Sequence, residues 1–432
     1  MNLNHTIARD QYISAAWQKP GRLRMAYFCE ILFINGMIAV QAFEGLNQIN
    51  RILGVLMLLI YIYYHQKLGL RLMAEVKLFG LFIMWALVGL VVAVDTDLVL
   101  RTWRTLAQIW VMMIAIAGIT SIKGNIRIIF ISTIIGGIIL FIHSVFIGDF
   151  QAATYVEDKV RIGYVFESLA KPNAYAFMML LAIISVMAFW KRVRNINLKI
   201  AMIALCLIFF TGIVLSGSRK TFFAVFVFFL LWLWFCYKEK FLNNIFAQIF
   251  TVVTAIALYY SFIFVLENTF LGERLITVML SDKYFGYERN DMYLEGIDMF
   301  LKYPVTGVGL QNFAKYSKWG YYSHSDYIEV ASTTGIIGFI LYFSIYIVLL
   351  KRINYLKRHI SDEEIRYTIN VLQVFIITML ILGLGRPNFL EVASCYPLAA
   401  VIGYTFYLEQ RVKSIQFKRK PHAGSRHNLE CK

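Results

Sequence analysis

The residues best equipped for chemistry stand together in Ser323-His324-Ser325-Asp326-Tyr327-Ile328-Glu329, where an imidazole, two hydroxyls and two carboxylates lie within one short stretch. His324, with an ordinary pKa near ~6.5, can take or hold a proton at neutral pH, which suits a general base or a group that orients a hydroxyl. For a histidine taken alone, a plain hydrogen bond to Asp326 or Glu329 is the commoner arrangement. No second histidine or cysteine stands at ligand spacing, so no metal site is expected. A set of cations separated in sequence accompanies this stretch: Arg161, Lys171, Arg219, Lys220, Arg289 and Arg386. Arg219 lies in Ser216-Gly217-Ser218-Arg219-Lys220-Thr221, a very short turn between two apolar runs. An arginine beside the free N–H groups of a helix start is a ready anion site, with a fork that matches phosphate oxygens. The competing arrangement is an arginine that snorkels to the headgroup boundary. Arg161, in Lys159-Val160-Arg161-Ile162-Gly163, can equally pair with Glu157 or Asp158. Arg289 opens a helical pattern at the end where the helix dipole disfavours a cation, which hints at a ligand or at a neighbouring acid.

The elements that must position these groups are hydrocarbon-soluble. The 432-residue chain is 59% hydrophobic and 16% charged, with a mean hydropathy of +0.64. That is too apolar for a soluble fold, where about 25% of residues are charged. Runs long enough to cross a bilayer fall near Met25–Phe43, Ile52–Tyr64, Leu78–Val94, Leu106–Thr120, Ile126–Ile147, Pro172–Trp190, Ile200–Leu215, Thr221–Tyr237, Phe241–Leu266, Ile328–Leu350, Tyr367–Leu384 and Val392–Leu408. The expectation is an all-α polytopic membrane protein of about twelve transmembrane helices. Counting basic residues loop by loop puts the N-terminus and the C-terminus inside. The outer segments then hold 15 Lys/Arg against 17 Asp/Glu, and the inner ones 27 against 9.

Residues 1–24 form a polar, basic cytoplasmic arm without the apolar stretch of a cleaved signal peptide, so the first helix is expected to act as an uncleaved signal. The transmembrane domain runs over 25–408, and 409–432 is a basic cytoplasmic tail. The tail reads as an anchor at anionic lipid and not as a nucleic-acid site. Two outer segments, 148–171 and 267–327, exceed simple connectors, and loops of that length are usually functional or disordered. The second carries a helical pattern over Glu288–Leu301, closed by Tyr303-Pro304 and Gly307-Val308-Gly309, which would return the chain to His324 before the tenth helix. The five cysteines show no pairing pattern and no zinc spacing. The aromatic residues are expected to be mostly lipid-facing or interfacial. Tyr287, Tyr293, Trp319, Tyr321 and Tyr322 lie close enough to the polar stretch to stack on sugar rings.

The order of the motifs is more specific than any one of them. Arg161-Ile162-Gly163, Pro172-Asn173-Ala174-Tyr175-Ala176, Gly217-Ser218-Arg219, Arg289 with Tyr293, Pro304-Val305-Thr306-Gly307-Val308-Gly309, and His324-Ser325 followed by Gly335 and Gly338 succeed one another. This succession resembles the O-antigen ligase and polymerase family of bacterial inner-membrane glycan transferases, similar to the C-type glycosyltransferase fold. Ser325 stands where relatives more often carry Asn, and Tyr293 where many carry Trp.

The resemblance implies a glycosyltransferase that moves a glycan from an undecaprenyl-diphosphate carrier to an acceptor hydroxyl of lipid A–core. Transfer would take place on the periplasmic face of the inner membrane, by inversion and without metal or cofactor. It implies His324, Arg219 and Arg161 as catalytic residues, and Arg289, Lys220, Tyr293, Asp326 and Glu329 as substrate-binding or supporting ones. Donor, acceptor glycan and membrane lipids would be the partners, with no nucleic acid. A polymerase that uses the same donor is the sister reading. A non-catalytic exporter or flippase would be expected to show midplane polar groups or internal repeats, and neither is evident.

Overall fold

The computed structural model describes residues 20–39, 46–68, 72–147, 172–243, 245–269 and 286–419. Among these, every regular element is a helix. In chain order they are α1 (Pro20–Ala39), α2 (Leu46–Leu68), α3 (Ala74–Ala86, extended by a 3-10 turn to Val91), α4 (Thr96–Lys123), α5 (Ile126–Ile142), α6 (Pro172–Ala188) and α7 (Ile196–Ser216). They continue with α8 (Arg219–Asn243), α9 (Ile245–Asn268), α10 (Gly286–Lys302), the single turn α11 (Phe313–Tyr316), α12 (Asp326–His359), α13 (Glu363–Leu382) and α14 (Val392–Arg419). Over its described residues, each of the twelve apolar runs falls on helix. Seven of these, α3 with its extension, α4, α5, α7, α8, α12 and α13, are long and apolar enough to cross a membrane. The chain is thus an all-helical polytopic membrane protein. Several boundaries move: α1 starts at Pro20, α2 at Leu46 and α4 at Thr96, α8 continues to Asn243 and α12 to His359, and α14 runs on to Arg419, so the first part of the basic tail is helix.

Caps explain several of these ends. Asp95 accepts the Leu98 N–H at the start of α4, and Gly124 closes α4 in the left-handed conformation (φ 63°). Asp362 caps α13 through the N–H groups of Glu364 and Ile365.

The side chains meet in two separate polar layers, one at each end of the bundle. At one end Arg127, in the first turn of α5, and Arg192, between α6 and α7, both reach Glu364 at the start of α13, while Lys191 pairs with Glu363. There too the buried Arg352 of α12 lies 2.6 Å from Glu75 of α3 and 2.7 Å from Glu409 of α14. All these segments were assigned to one side by their charge. At the opposite end Ser218 donates to Asn173 (2.9 Å), Asn312 pairs with the Asp95 backbone, and Lys220 reaches Gly385. The alternation read from the loops therefore matches which helix ends share a face.

Helix α6 departs from expectation. All its residues from Tyr175 to Ala188 are buried, packed by α5, α7, α8 and α13, so it is a central post and not a lipid-facing span. Many aromatic side chains also sit inside. Phe79, Phe82, Tyr342 and Phe389 form a buried cluster of tilted and edge-on rings, and Tyr175 and Tyr396 are fully enclosed.

Helix α12 is broken at Gly335, whose backbone (φ 67°, ψ −171°) leaves the helical region. The break frees carbonyls that a buried helix must pair elsewhere. Val308 N–H donates to Ser332 O (2.8 Å), Gly309 N–H to Thr333 O (3.0 Å) and Trp85 Nε1 to Thr334 O (2.9 Å), while Ile336 N–H reaches Pro304 O (2.8 Å). The Pro304–Gly309 turn thus lies along the break as a backbone ladder. Any Cβ on Gly335 would stand 2.0 Å from the Val305 carbonyl oxygen, and one on Gly307 would stand 2.3 Å from the Thr333 carbonyl carbon. Gly320 has the same sign of φ (67°) but open space around it. We therefore expect Gly335→Ala to cost at least ~3 kcal/mol and Gly320→Ala about 1 kcal/mol, read as thermal unfolding in detergent. Equal losses would show that the ladder is not what demands glycine.

Candidate functional site

The site is built from four segments that converge on the connection between α13 and α14, residues 383–391. Gly, Pro and Asn in Gly383-Leu384-Gly385-Arg386-Pro387-Asn388 keep this stretch out of either helix. The first segment is the start of α12. Asp326 N–H donates to Gly383 O (2.7 Å), and its buried carboxylate accepts the N–H groups of Asn388 (2.7 Å) and Phe389 (3.4 Å) and the Tyr342 hydroxyl (3.3 Å). Tyr327 adds a bond from its hydroxyl to Leu380 O (2.9 Å). The second is α10, where Tyr293 donates to Leu384 O (2.9 Å). The third is the Ser216–Thr221 turn, where Lys220 Nζ donates to Gly385 O (2.7 Å). Gly217, left-handed at φ 64°, makes that turn tight enough to start α8 at Arg219. The fourth is α6, whose buried Phe177 ring lies 4.4 Å below the Arg386 guanidinium.

His324 stands at the rim of this corner in the left-handed conformation, with φ at 60°. For a residue other than glycine that conformation costs roughly 1–2 kcal/mol, so the surroundings must impose it. They do so on both flanks. Ser323 N–H donates to the Glu329 carboxylate (2.8 Å), the Ser323 hydroxyl donates to Ser325 O (3.1 Å), and Asp326 is tied to Gly383 as above. The Tyr322 ring packs on the imidazole with centroids 4.2 Å apart. Asp326 and Glu329 thus act on the loops around the histidine: one holds the 383–391 connection, the other shapes the turn at Ser323. Both also sit in the first turn of α12, where the helix dipole favours acids.

Arg386, grouped in the sequence with the cations that accompany His324, is the one among the described residues to which the sequence assigns no role. It is 3% exposed and paired with Glu391, its Nε donating to that carboxylate (2.8 Å). Burial lowers its pKa to about 10, while the nearby Asp326 carboxylate and Tyr322 push the other way. It therefore keeps its positive charge at neutral pH. An arginine five residues before a glutamate, inside a Gly/Pro/Asn cluster, was the available signal.

Of the sequence candidates, His324, Asp326, Glu329, Lys220, Arg219 and Tyr293 belong to this one corner, Arg219 through its turn against Gly385. Arg161 lies outside the described residues, as does the Arg289 side chain, although its backbone falls in the first turn of α10. Among the aromatics, Tyr321 is exposed and Trp319 packs against Met292 and Met299.

Residues 203–343 match the model of the family described as O-Antigen ligase. The matched stretch runs from α7 to the middle of α12 and contains Arg219, Lys220, Tyr293, His324, Asp326, Glu329, Gly335 and Gly338. The resemblance read from the motifs is shown over that segment, and it supports a glycan-transfer role for this membrane protein. Arg161 and Arg386 lie outside it. Among curated proteins no match is found. A solved structure described as "Structural coordination of polymerization and crosslinking by a peptidoglycan synthase complex" is similar over 78% of this chain and 96% of that one, at 14% identity and a TM-score of 0.45. At that score it fixes neither fold nor activity.

If the Asp326 carboxylate holds the corner, Asp326→Ala strands two buried N–H groups and costs roughly 3 kcal/mol, whereas Asp326→Asn keeps an acceptor oxygen and costs about 1 kcal/mol. Thermal unfolding of the two variants in one detergent would separate them, and identical melting points would remove Asp326 from this role.

Proposed function

We propose that the chain is an O-antigen ligase-like glycosyltransferase, moving a glycan from a polyprenyl-diphosphate carrier to an acceptor hydroxyl of lipid A–core at the periplasmic face of a bacterial inner membrane. The observation that carries this reading is the convergence of the Arg219–Lys220 turn, α10 and the His324 segment on residues 383–391, within and just beside the stretch matched by the family. In the reaction, the acceptor oxygen attacks the anomeric carbon of the donor sugar as the bond from that carbon to the diphosphate oxygen breaks. The configuration inverts, and the carrier leaves as its diphosphate. His324 takes the acceptor proton or holds the hydroxyl in line. Arg219, with Arg161 and Arg289 as further proposed ligands, stabilises the charge that develops on the leaving diphosphate, and neither a metal nor a nucleotide is invoked. Lys220, Tyr293, Asp326 and Glu329 hold the corner in register. A polymerase that extends the glycan on the same carrier shares these motifs and remains the second reading.

Deletion of the chain followed by lipopolysaccharide gel analysis decides between them. Loss of a ligase leaves bare core with polymer retained on the carrier, whereas loss of a polymerase leaves core bearing single repeat units. His324→Asn and His324→Gly both accept a left-handed backbone, so they should stay folded while transfer falls at least about a hundredfold. Normal surface glycan in these strains would sink the catalytic assignment. Arg219→Ala should lower transfer about a hundredfold and Arg219→Lys about tenfold, because lysine keeps the charge but not the fork. Rates in purified, reconstituted protein that are equal for lysine and arginine would argue against a bidentate diphosphate contact.

A further inference from the structure

At the end of the bundle opposite His324, a cavity of about 370 Å³ opens where α4 and α6 end, α5 and α13 begin and α14 passes by. Its size falls in the ~300–1,000 Å³ range of small-molecule sites. Four cations line it, Lys123, Arg127, Arg192 and Arg411, and the one carboxylate in the wall is Glu364. That carboxylate is shared, its Oε1 lying 3.5 Å from Arg127 and 3.3 Å from Arg192. The lining therefore keeps a charge of +3. Its shape depends on Gly124: a Cβ there would stand 2.2 Å from the Tyr407 ring, so the glycine lets that ring close the cavity edge.

The cavity faces two media. An apolar crevice of about 20 Å³ continues beneath it, sharing Ile126 and Phe130, and is too small to take an alkyl chain. The outside of α5 offers what the crevice does not. Arg127, Ile131, Ile135 and Ile139 recur every fourth residue and all are exposed, so the guanidinium heads an apolar stripe on one helix face. A cationic cavity above an exposed apolar track matches a ligand with a phosphate head and hydrocarbon tails. Basic pockets between helices on the cytoplasmic side hold such headgroups, and the charge asymmetry of the loops assigns this end to the cytoplasm.

We propose that this cavity binds a phosphate-bearing anion, supplied in the membrane by the headgroup of an acidic phospholipid whose chains lie along Ile131, Ile135 and Ile139. The site is separate from the His324 corner and does not rest on the glycan-transfer reading.

The test uses the full chain in nanodiscs of phosphatidylcholine, with or without a minor fraction of phosphatidylglycerol, read by native mass spectrometry of retained lipid and by melting temperature. Lys123→Gln/Arg411→Gln removes two cations and leaves the Glu364 pairs in place. Lys351→Gln/Arg358→Gln removes two exposed cations of the same end that do not line the cavity. The unaltered chain should retain phosphatidylglycerol over phosphatidylcholine, the first variant should lose about thirtyfold in that preference, and the second should keep it. Inorganic phosphate added to phosphatidylcholine discs forms the other arm. A rise in melting temperature that needs Lys123 and Arg411 supports the site and assigns its phosphate to a soluble source, whereas an effect of phosphatidylglycerol alone assigns it to lipid. An equal loss in both variants, or no response to either phosphate, overturns the proposal. Should the double variant fail to fold, Lys123→Gln alone carries the same comparison.

Discussion

The constraint on which the rest depends is the pairing of backbone groups freed by the break in α12. A helix that stops hydrogen-bonding to itself inside an apolar bundle must find other donors and acceptors, because each unsatisfied group costs several kcal/mol there. The chain meets this with Val308, Gly309, Trp85 and Pro304, all drawn from outside the helix. The consequence is spatial. The residues from Asp326 to Thr334 form a short buried helical stem before the break, and the polar segment that follows α10 is clamped to it. Gly89, whose added Cβ would stand 2.7 Å from the Gly309 Cα, admits the same turn from the α3 side. The glycines of the Pro304–Gly309 stretch and of Gly335 and Gly338 are therefore one device seen from two strands of the chain.

A second dependence follows from the first. Once α12 starts above the break, its first residue faces the α13–α14 connection, and Asp326 can accept two successive N–H groups there. A carboxylate so used is engaged by backbone donors, and its work is to fix a loop. The loop in turn receives Lys220 and Tyr293 on successive carbonyls, Gly385 and Leu384. Lys220 reaches this short peptide from outside, and the buried Arg386 within it is held by its ion pair with Glu391.

Much of this was legible in the sequence, and the reasons for the rest are physical. The helices were visible because a bilayer needs long apolar runs, and the sides were visible because cations are retained on one face. The burial of α6 was not visible: an all-apolar helix looks the same whether lipid or protein surrounds it. For the same reason Phe82, Tyr342 and Phe389 read as membrane-facing until packing placed them together. Gly335 could be seen as part of a motif, but the break it makes depends on partners about 30 and 250 residues away, Pro304 and Trp85. Asp326 looked like a partner for His324 because it is two residues distant. Its backbone partners lie 62 and 63 residues away, a pairing no local pattern encodes.

The left-handed backbone of His324 is best understood through these anchors. The strain is modest, roughly 1–2 kcal/mol, yet nothing in the local sequence demands it, since a glycine would adopt it freely. The flanking bonds from Ser323 to Glu329 and from Asp326 to Gly383 fix the chain on each side, and the side chain between them is turned onto Tyr322 as a result. A bundle whose helix interiors carry few charges leaves such a rim as a place where polar side chains gather. The anchors on both flanks hold the backbone at His324, and the Tyr322 ring packs on the imidazole they present.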